Sequence, residues 1–326
     1  MSSSTSSSSR VVRWRVPLAL LVIFGALELI TRTWLFDSSK DFRRFAGYPQ
    51  GARALAAGDG VRVALVGNSA TARGVDLPTL RTAISGAGVR ASLDMFVADQ
   101  SRINTWQFMI QRYFLQSGAK PDWLVVTYYE DDLEDGNNVE IGRLAQFFTS
   151  MRDWPSVFAV DLPQWSQRAE FVLASGWATF AASERIRERA LEAMIPDYKE
   201  YVSASNAAIY EHNHRRAQAA PPAKARSYQA LRRLLRTVTD SGIKLVVVAF
   251  PTRIDSGRMP YDVADETVQV LREGGASFLD LRRVPGLEGA DQYDDEVHLS
   301  VAGRVPYSRA LGAALAPLLA QDRSAR

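Results

Sequence analysis

The serine at position 69 stands where an α/β protein can keep a nucleophile. Residues 61–66 are an apolar run of strand length, Gly67-Asn68-Ser69 has the pattern of a tight turn, and Asp76-Leu77-Pro78 has that of a helix start. A hydroxyl at the carboxyl end of a buried parallel strand lies at the sheet edge where such proteins bind ligands and substrates. Many α/β proteins make this turn without any chemistry, so the assignment depends on finding a base for Ser69.

The chain has three histidines that could serve as bases or metal ligands. His212 and His214 form an i,i+2 pair, which points to different faces of a predicted helix and has no clear third ligand, so no metal site is expected. His298 precedes the last predicted helix, and Asp295 stands three residues before it. In a one-turn loop this spacing lets the carboxylate reach the imidazole Nδ1 and leaves Nε2 free to take a proton from a serine. An exposed acidic turn that caps the helix is the alternative interpretation.

Length and composition narrow the classes of function. A chain of 326 residues can bury one large α/β core, or a core with an insertion. The net charge is +3 and the globular part has no long basic stripe, which argues against a nucleic-acid partner. Because the chain contains no cysteine, a thiol nucleophile, a disulfide framework and a Cys-ligated zinc are excluded. Ester chemistry at a serine needs neither metal nor organic cofactor, and none is expected.

The amino terminus predicts a membrane anchor. Residues 1–15 combine a Ser/Thr tract with three arginines and are predicted to be a disordered cytoplasmic tail. Residues 16–36 follow as the predicted transmembrane segment, because a helix of this length rises about 30 Å and matches a bilayer core. The arginines should keep the start in the cytoplasm and place the rest of the chain outside. Leu27-Glu28-Leu29-Ile30-Thr31 offers no small-x-small cleavage site, which favours an uncleaved anchor over a signal peptide.

Glu28 interrupts the apolar run of the anchor. With Arg32 it has the i,i+4 spacing of an ion pair that snorkels to the outer interface. A carboxylate within the hydrocarbon would instead indicate a contact with another membrane protein, because an unpaired charge there is costly. The snorkelling pair is the preferred interpretation.

The alternation of elements predicts a doubly wound α/β domain. Strands are predicted at 61–66, 89–97, 123–129, 245–250 and 277–281, with helices at 77–85, 104–117, 227–241, 263–273 and a last one ending near 319. Residues 61–129 and 228–320 should therefore form a flavodoxin-like domain with a parallel five-stranded sheet. Pro306 must stand in the first turn of the last helix or kink it.

Two further segments flank this domain. Residues 37–60 are predicted to be a polar juxtamembrane segment with one short helix. Residues 130–227 break the strand–helix alternation and are predicted to form a mostly helical insertion, a cap that shapes the substrate site.

Two short blocks carry a resemblance to a known family. Gly67-Asn68-Ser69 after the first core strand, with Asp295-x-x-His298-Leu299-Ser300 before the last helix, resembles the SGNH/GDSL hydrolase superfamily. The similarity covers residues 55–130 and 228–320, and the sequences around both blocks are similar to the membrane-anchored branch that includes the D-alanyl transfer protein of teichoic-acid operons and exopolysaccharide O-acetyl-transfer proteins. The resemblance implies that Ser69 is the nucleophile, His298 the base and Asp295 its orienter. It also implies that the Ser69 backbone amide contributes to an oxyanion hole.

The middle blocks differ from the family pattern. The glycine that commonly follows the second strand is missing from residues 98–102, and the common Gly-x-Asn-Asp after the third strand is replaced by Tyr129-Glu130-Asp131-Asp132. Loss of one oxyanion donor typically costs about 10²–10³ in rate, so either another group replaces it or activity is slow or lost. The candidates for the oxyanion hole or for substrate contacts are Asn68, Arg102, Asn104, Asp131, Asn137 and Asn138.

The sequence therefore predicts a single-pass membrane protein whose extracytoplasmic domain is a serine O-acyl esterase or acyltransferase. A cell-envelope or secreted glycan is the expected substrate, and family analogy suggests a membrane-bound acyltransferase as partner. A glycan-binding or assembly protein with a decayed site is the first alternative. The second is a lipase-like or thioesterase-like hydrolase with an apolar groove lined by insertion residues such as Trp165, Phe171 and Trp177.

Overall fold

The computed structural model describes residues 8–135, 139–198, 200–202, 204–205, 226–253 and 261–321. Contacts divide the chain into two compact units. The anchor unit comprises residues 1–44, 141–146 and 169–222, and the sheet unit comprises residues 45–140, 147–168 and 223–326. The boundaries predicted between anchor, juxtamembrane segment, insertion and α/β domain stay predictions.

Five parallel strands form the centre of the sheet unit. They pair in the order β2-β1-β3-β4-β5, which confirms the predicted flavodoxin-like sheet. Their apolar runs are continuous because helices cover both faces of a doubly wound sheet. The strands are β1 Val61–Gly67, β2 Ala91–Val97, β3 Trp123–Tyr128, β4 Lys244–Ala249 and β5 Ser277–Asp280.

Helices on the two faces of the sheet enclose separate halves of the core. On one face Leu77–Gly86 and Val301–Gln321 pack together over Val63 and Leu65. On the other face Ile103–Ile110 packs against Gln229–Asp240, which also contacts β4. Further helical segments in the described part of the sheet unit include Ser69–Gly74, the π-helical turn Gln111–Leu115, Met151–Asp153, Trp154–Ser156, Val157–Asp161, Asp265–Glu273 and Ala290–Gln292.

Most predicted helices match within two residues at each end, and two differ by more. The last helix begins at Val301, so Pro306 lies in its second turn instead of its first. The short helix predicted within residues 37–60 is a 17-residue helix, Lys40–Ala56, because four apolar side chains at helical spacing are buried. These side chains belong to Phe45, Tyr48, Ala52 and Leu55.

A buried ion pair joins two segments of the sheet unit. The Arg233 guanidinium donates to both Asp161 carboxylate oxygens at 2.8 and 2.9 Å, and the Asp161 side chain has no exposed surface. Arg233 also donates to Ser156, bonds Gln107 and stacks over the ring of Phe108 at 4.9 Å. The guanidinium is thus the main counter-charge of a carboxylate that water does not reach.

Replacing Arg233 by alanine should destabilise the protein by about 3–5 kcal/mol, because it leaves a buried charge without its partner. The matched control is Arg232→Ala, since Arg232 pairs with Glu273 on the surface and such pairs contribute about 0–1 kcal/mol. Thermal unfolding of both full-length variants measures the difference. Equal melting temperatures for the two variants would contradict the prediction.

The anchor unit contains one long apolar helix. Ser8–Ile30 continues through the π-helical segment Thr31–Leu35 into Phe36–Ser38. Its stretch Trp14–Ser38 is long and apolar enough to cross a membrane, a pattern that a signal sequence shares. Only 11% of an apolar 18-residue window in this stretch is buried, unlike the core helix of a globular protein. Further helical segments with described residues in this unit include Ile141–Arg143, Leu144–Phe148, Trp165–Gly176, Ala178–Ala181 and Ser183–Met194, and Lys40–Ala56 begins in it.

Candidate active site

Ser69 begins a short helix directly after β1. The helix Ser69–Gly74 is capped by Asn68, whose side-chain oxygen accepts a hydrogen bond from the Ala70 amide at 3.0 Å. Amide groups in the first turn have no partner inside the helix, and the Ser69 amide is one of them. The turn thus presents the hydroxyl and the amide of one residue together.

Gly67 is required by close packing at the end of β1. A Cβ at this position would lie 1.9 Å from Thr71 Oγ1 and 2.9 Å from Thr127 Oγ1. These two threonines are hydrogen-bonded to each other and buried, so neither can move aside without breaking that contact. The glycine therefore allows the turn that carries Ser69 to pack against β3.

His298 and Asp295 lie in the loop before the last helix and reach Ser69. His298 Nε2 is 2.9 Å from Ser69 Oγ, across 229 residues of sequence. His298 Nδ1 is 2.7 Å from Asp295 Oδ2, while Asp295 Oδ1 accepts the amides of Val297 and His298 at 2.9 and 2.8 Å. The structure thus brings together the three residues that the sequence singled out, with the atoms in the order that proton transfer from serine requires.

Asp295 is held in its ionised form. Burial opposes ionisation, but the hydrogen bonds from the His298 side chain, the His298 amide and the Val297 amide outweigh it and lower the pKa of Asp295. A carboxylate that accepts from Nδ1 fixes the tautomer in which Nε2 carries no proton. That tautomer is the one that can act as a base toward Ser69.

Two non-glycine residues adopt left-handed backbone conformations in the loops after β2 and β3. Gln100 has φ of 57° and Glu130 has φ of 50°. Gln100 lies in residues 98–102, where the family that the sequence resembles commonly has a glycine. The backbone at Gln100 therefore adopts the left-handed conformation that glycine favours, although the residue is a glutamine. Such residues cost roughly 1–3 kcal/mol each and cluster at functional sites, where the surrounding fold holds them.

A buried carboxylate links these loops to the turn that carries Ser69. Asp132 Oδ2 accepts from Asn68 Nδ2 at 2.9 Å and from the Tyr129 amide at 3.2 Å. Asp132 Oδ1 is 3.6 Å from Arg102 Nε, and Arg102 Nη1 donates to Asp131 at 2.6 Å. Arg102 therefore offsets the negative charge that the aspartate pair brings to this edge of the sheet.

The candidate donors for the oxyanion hole differ in whether their N–H groups are already hydrogen-bonded within the protein. The Asn68 amide is engaged with Asp132 and the Ser101 carbonyl, and the buried Asn104 amide donates to Asp161. Arg102 has five donors in total, so its contacts with the aspartates leave it donor capacity for a substrate oxygen. Asn137 and Asn138, like His212 and His214, lie outside the described residues.

Sequence reasoning missed the role of Asp132 as the partner of Asn68. It considered Asp131, which stands in place of the family's asparagine, and gave Asp132 no role. One signal was available in the sequence. Asp132 follows a fully buried strand closely, and a carboxylate buried near the end of such a strand needs a hydrogen-bond donor.

Asp132 should make stability depend on pH. Burial raises the pKa of Asp132 to about 7, although Arg102 and the Tyr129 amide act in the opposite direction. Between about pH 4 and pH 7 the folded protein then holds a proton that the unfolded chain has released, so the free energy of unfolding falls as pH rises through this window.

Replacing Asp132 by asparagine should remove this dependence, which amounts to roughly 2–4 kcal/mol across the window. Melting temperatures of the full-length wild type and variant at several pH values test it. The wild type should lose more stability than Asp132→Asn on going from pH 4 to pH 8. Parallel curves would show that Asp132 is ionised throughout.

No protein-family model and no curated protein matches the chain. Among solved structures, it is similar to a lipase/acylhydrolase from Enterococcus faecalis, with 12% identity, a TM-score of 0.39, and coverage of 78% of this chain and 95% of that chain. It is also similar to a GDSL-like lipase from Bacteroides thetaiotaomicron, with 10% identity, a TM-score of 0.36, and coverage of 84% and 99%. At these values, the function of the chain is inferred from its own residues.

Proposed function

We propose that the chain is a membrane-anchored serine hydrolase or acyltransferase of the SGNH/GDSL type that acts on O-acyl esters of a cell-envelope or secreted glycan. The observation that carries the proposal is the line of hydrogen bonds from Asp295 through His298 to Ser69 Oγ. Serine becomes a useful nucleophile only when a base lies within hydrogen-bond reach, and the 2.9 Å separation meets that condition.

The reaction follows from this geometry. His298 Nε2 takes the proton of Ser69 as Oγ bonds to the acyl carbon, and the imidazolium is stabilised by Asp295. The carbonyl oxygen, now negative, is stabilised by the Ser69 amide, with Arg102 as the second candidate donor. His298 then gives its proton to the departing alcohol oxygen, the C–O ester bond breaks, and an acyl-serine forms.

The second half repeats these steps with a new nucleophile. His298 removes a proton from water or from a glycan hydroxyl, whose oxygen attacks the acyl-serine carbon. The bond to Ser69 breaks and Oγ takes the proton back from His298. Water as acceptor makes the protein an esterase, and a glycan hydroxyl makes it a transferase.

The chemistry is tested by labelling and by turnover. The full-length protein is treated with a fluorophosphonate, and the modified peptide is mapped by mass spectrometry with Ser69→Ala as control. A panel of acetyl to long-chain acyl esters is then assayed with and without an acetylated glycan. Labelling at Ser69 with acetyl-ester turnover supports the proposal, and a long-chain preference would favour a lipase-like hydrolase instead. No labelling and no turnover would leave a glycan-binding or assembly protein.

The anchor is part of the same proposal, and the exposed apolar stretch Trp14–Ser38 supports it. The amino terminus should stay in the cytoplasm and the sheet unit should lie outside, where a membrane-bound acyltransferase can supply acyl groups. The intact mass of the protein extracted from membranes should include residues 16–36. A mature chain that starts near residue 30–40 and fractionates without membranes would contradict this prediction.

A further inference from the structure

Glu28 is bonded within the anchor unit to a segment 150 residues further along the chain. Its carboxylate accepts from the amides of Ala178 and Thr179 at 2.9 Å each and from Thr179 Oγ1 at 3.0 Å. Arg32 Nε also donates to it, at 2.7 Å, as its spacing predicted. The chain therefore supplies further partners for Glu28 besides the Arg32 that the preferred interpretation gave it.

The contacts continue along one side of the apolar helix. The rings of Phe24 and Trp177 meet edge to face at 5.2 Å, and the hydroxyls of Thr31 and Thr179 are 3.1 Å apart. Positions 24, 28 and 31 share a helix face and span about 10 Å of its length. Residues 177–179 consequently lie at the same depth as that part of the candidate span.

The segment that makes these contacts has the composition of membrane-inserted chain. From Phe171 to Ser183 there are thirteen residues and no charge, between Glu170 and Glu184. Apolar stretches of this length are too short to span a bilayer and are typical of buried or re-entrant segments. Leu173 is 49% exposed and Phe180 is 36% exposed, so apolar side chains here face outward from the unit.

Backbone bonding also suits a site without water. In hydrocarbon every amide needs a partner from the protein, and amides in the first turn of a helix have none within that helix. Glu28 accepts those of Ala178 and Thr179, which belong to the short helix Ala178–Ala181. The amide of Trp177 donates to the Leu173 carbonyl at 2.9 Å. The hydrogen bonds between the Glu28 carboxylate and these two amides thus offset the desolvation free energy of both partners.

Beyond Glu28 and Arg32, the next charged contacts lie at the end of the apolar helix. In the next helix, Ser183–Met194, Arg185 donates to Asp41 at 2.8 Å and Arg189 donates to Ser38 at 2.9 Å. The register therefore runs from Trp177 beside Phe24 to Arg189 beside Ser38. Trp177 therefore contacts the span furthest from this end, and the contacts of Arg185 and Arg189 lie at the end itself.

We infer that residues 171–183 are a re-entrant wedge that inserts into the lipid bilayer beside the anchor, held there by Glu28. The occupant of its exposed apolar face is lipid hydrocarbon. A single anchor helix can rotate about its axis, whereas an inserted wedge fixes the orientation of the anchor unit. The inference rests on the proposed anchor and is independent of chemistry at Ser69.

The absence of cysteine allows a direct test with single labels. Leu173→Cys and Phe180→Cys report the wedge, Leu20→Cys reports the anchor, and Glu188→Cys reports the exposed part of the following helix. Each full-length variant carries a fluorophore in phosphatidylcholine vesicles, with doxyl groups on the acyl chains or iodide in the buffer as quenchers. Labels at Leu173, Phe180 and Leu20 should be quenched by doxyl lipid and protected from iodide, and the label at Glu188 should show the reverse.

Variants of Glu28 test whether its hydrogen bonds to Ala178 and Thr179 hold the wedge in place. In the Phe180→Cys background, Glu28→Ala should lower doxyl quenching by at least half, while Glu28→Gln should lower it less, because its one side-chain oxygen can still accept from the amide of Ala178 or from that of Thr179, which bond different oxygens of Glu28. Quenching at Leu20 should not change in either variant.

The possible failures are distinguishable. Quenching at Leu20 without quenching at Leu173 and Phe180 would overturn the wedge and leave the anchor standing. Wedge labels that are shielded from both quenchers would indicate that protein covers this face, which also overturns it. Absence of doxyl quenching at Leu20 would remove the anchor and the wedge together.

Discussion

Replacing Ser69 by alanine is expected to lower ester turnover by about 10⁴–10⁶-fold. The variant lacks the oxygen that lies 2.9 Å from His298 Nε2, so no acyl-serine can form and His298 has no hydroxyl to deprotonate. One hydroxyl contributes little to binding the rest of a glycan ester, so the loss should appear in kcat more than in KM. Steady-state hydrolysis of a chromogenic acetyl ester by the full-length protein measures it.

Ser92→Ala is the matched control for this experiment. Ser92 lies in β2 near its amino end, and its hydroxyl donates to the Asp59 carbonyl at 2.8 Å, at the opposite edge of the sheet from Ser69. Its activity should stay within about twofold of the wild type. Retained turnover in Ser69→Ala would exclude Ser69 as the nucleophile, whatever the control shows.

Replacing Asp295 by asparagine should reduce kcat by about 10⁴-fold with little change in folding. Asparagine still offers an oxygen to the amides of Val297 and His298, so the loop keeps two of its three hydrogen bonds. Its amide group, however, would face His298 Nδ1 with a donor in place of an acceptor. His298 would then carry its proton on Nε2 and could not act as a base toward Ser69.

The neighbouring exposed carboxylate provides the comparison for Asp295. Asp294 contacts His298 only through its main-chain amide, which donates to the His298 carbonyl at 2.8 Å and survives Asp294→Asn. We expect near-wild-type turnover in Asp294→Asn. A loss below tenfold in Asp295→Asn, or equal losses in the two variants, would show that Asp295 does not orient the imidazole.

Much of the sheet unit could be predicted because its signals are local. The run before Ser69 is apolar and of strand length, and Asp76 was recognisable as an N-cap, which the structure confirms through its bond to the Thr79 amide. The parallel order of five strands followed from their alternation with helices. The candidate site was recognisable since parallel strands deliver their carboxyl ends to one edge.

The polar surroundings of Ser69 could not be predicted in the same way. Asn104 and Asn68 were equivalent candidates in sequence, yet the fold pairs one with Asp161 and the other with Asp132. A buried carboxylate takes whichever donors the packed elements bring within about 3 Å, and those donors are far apart in the chain. Asn68 and Asp132 are separated by 64 residues.

The sequence by itself determined the strands, the apolar amino-terminal helix and the choice of Ser69, His298 and Asp295 as candidate residues. These signals are local, because hydrophobic periodicity and turn-forming residues act over a few neighbouring positions. Only the tertiary structure decided which charges neutralise each other. The sequence predicted that Glu28 pairs with Arg32, four residues away. Its hydrogen bonds to Thr179, however, join residues that are 151 positions apart in the chain. Such contacts depend on how whole elements pack, since a buried carboxylate is stable only where that packing supplies its donors.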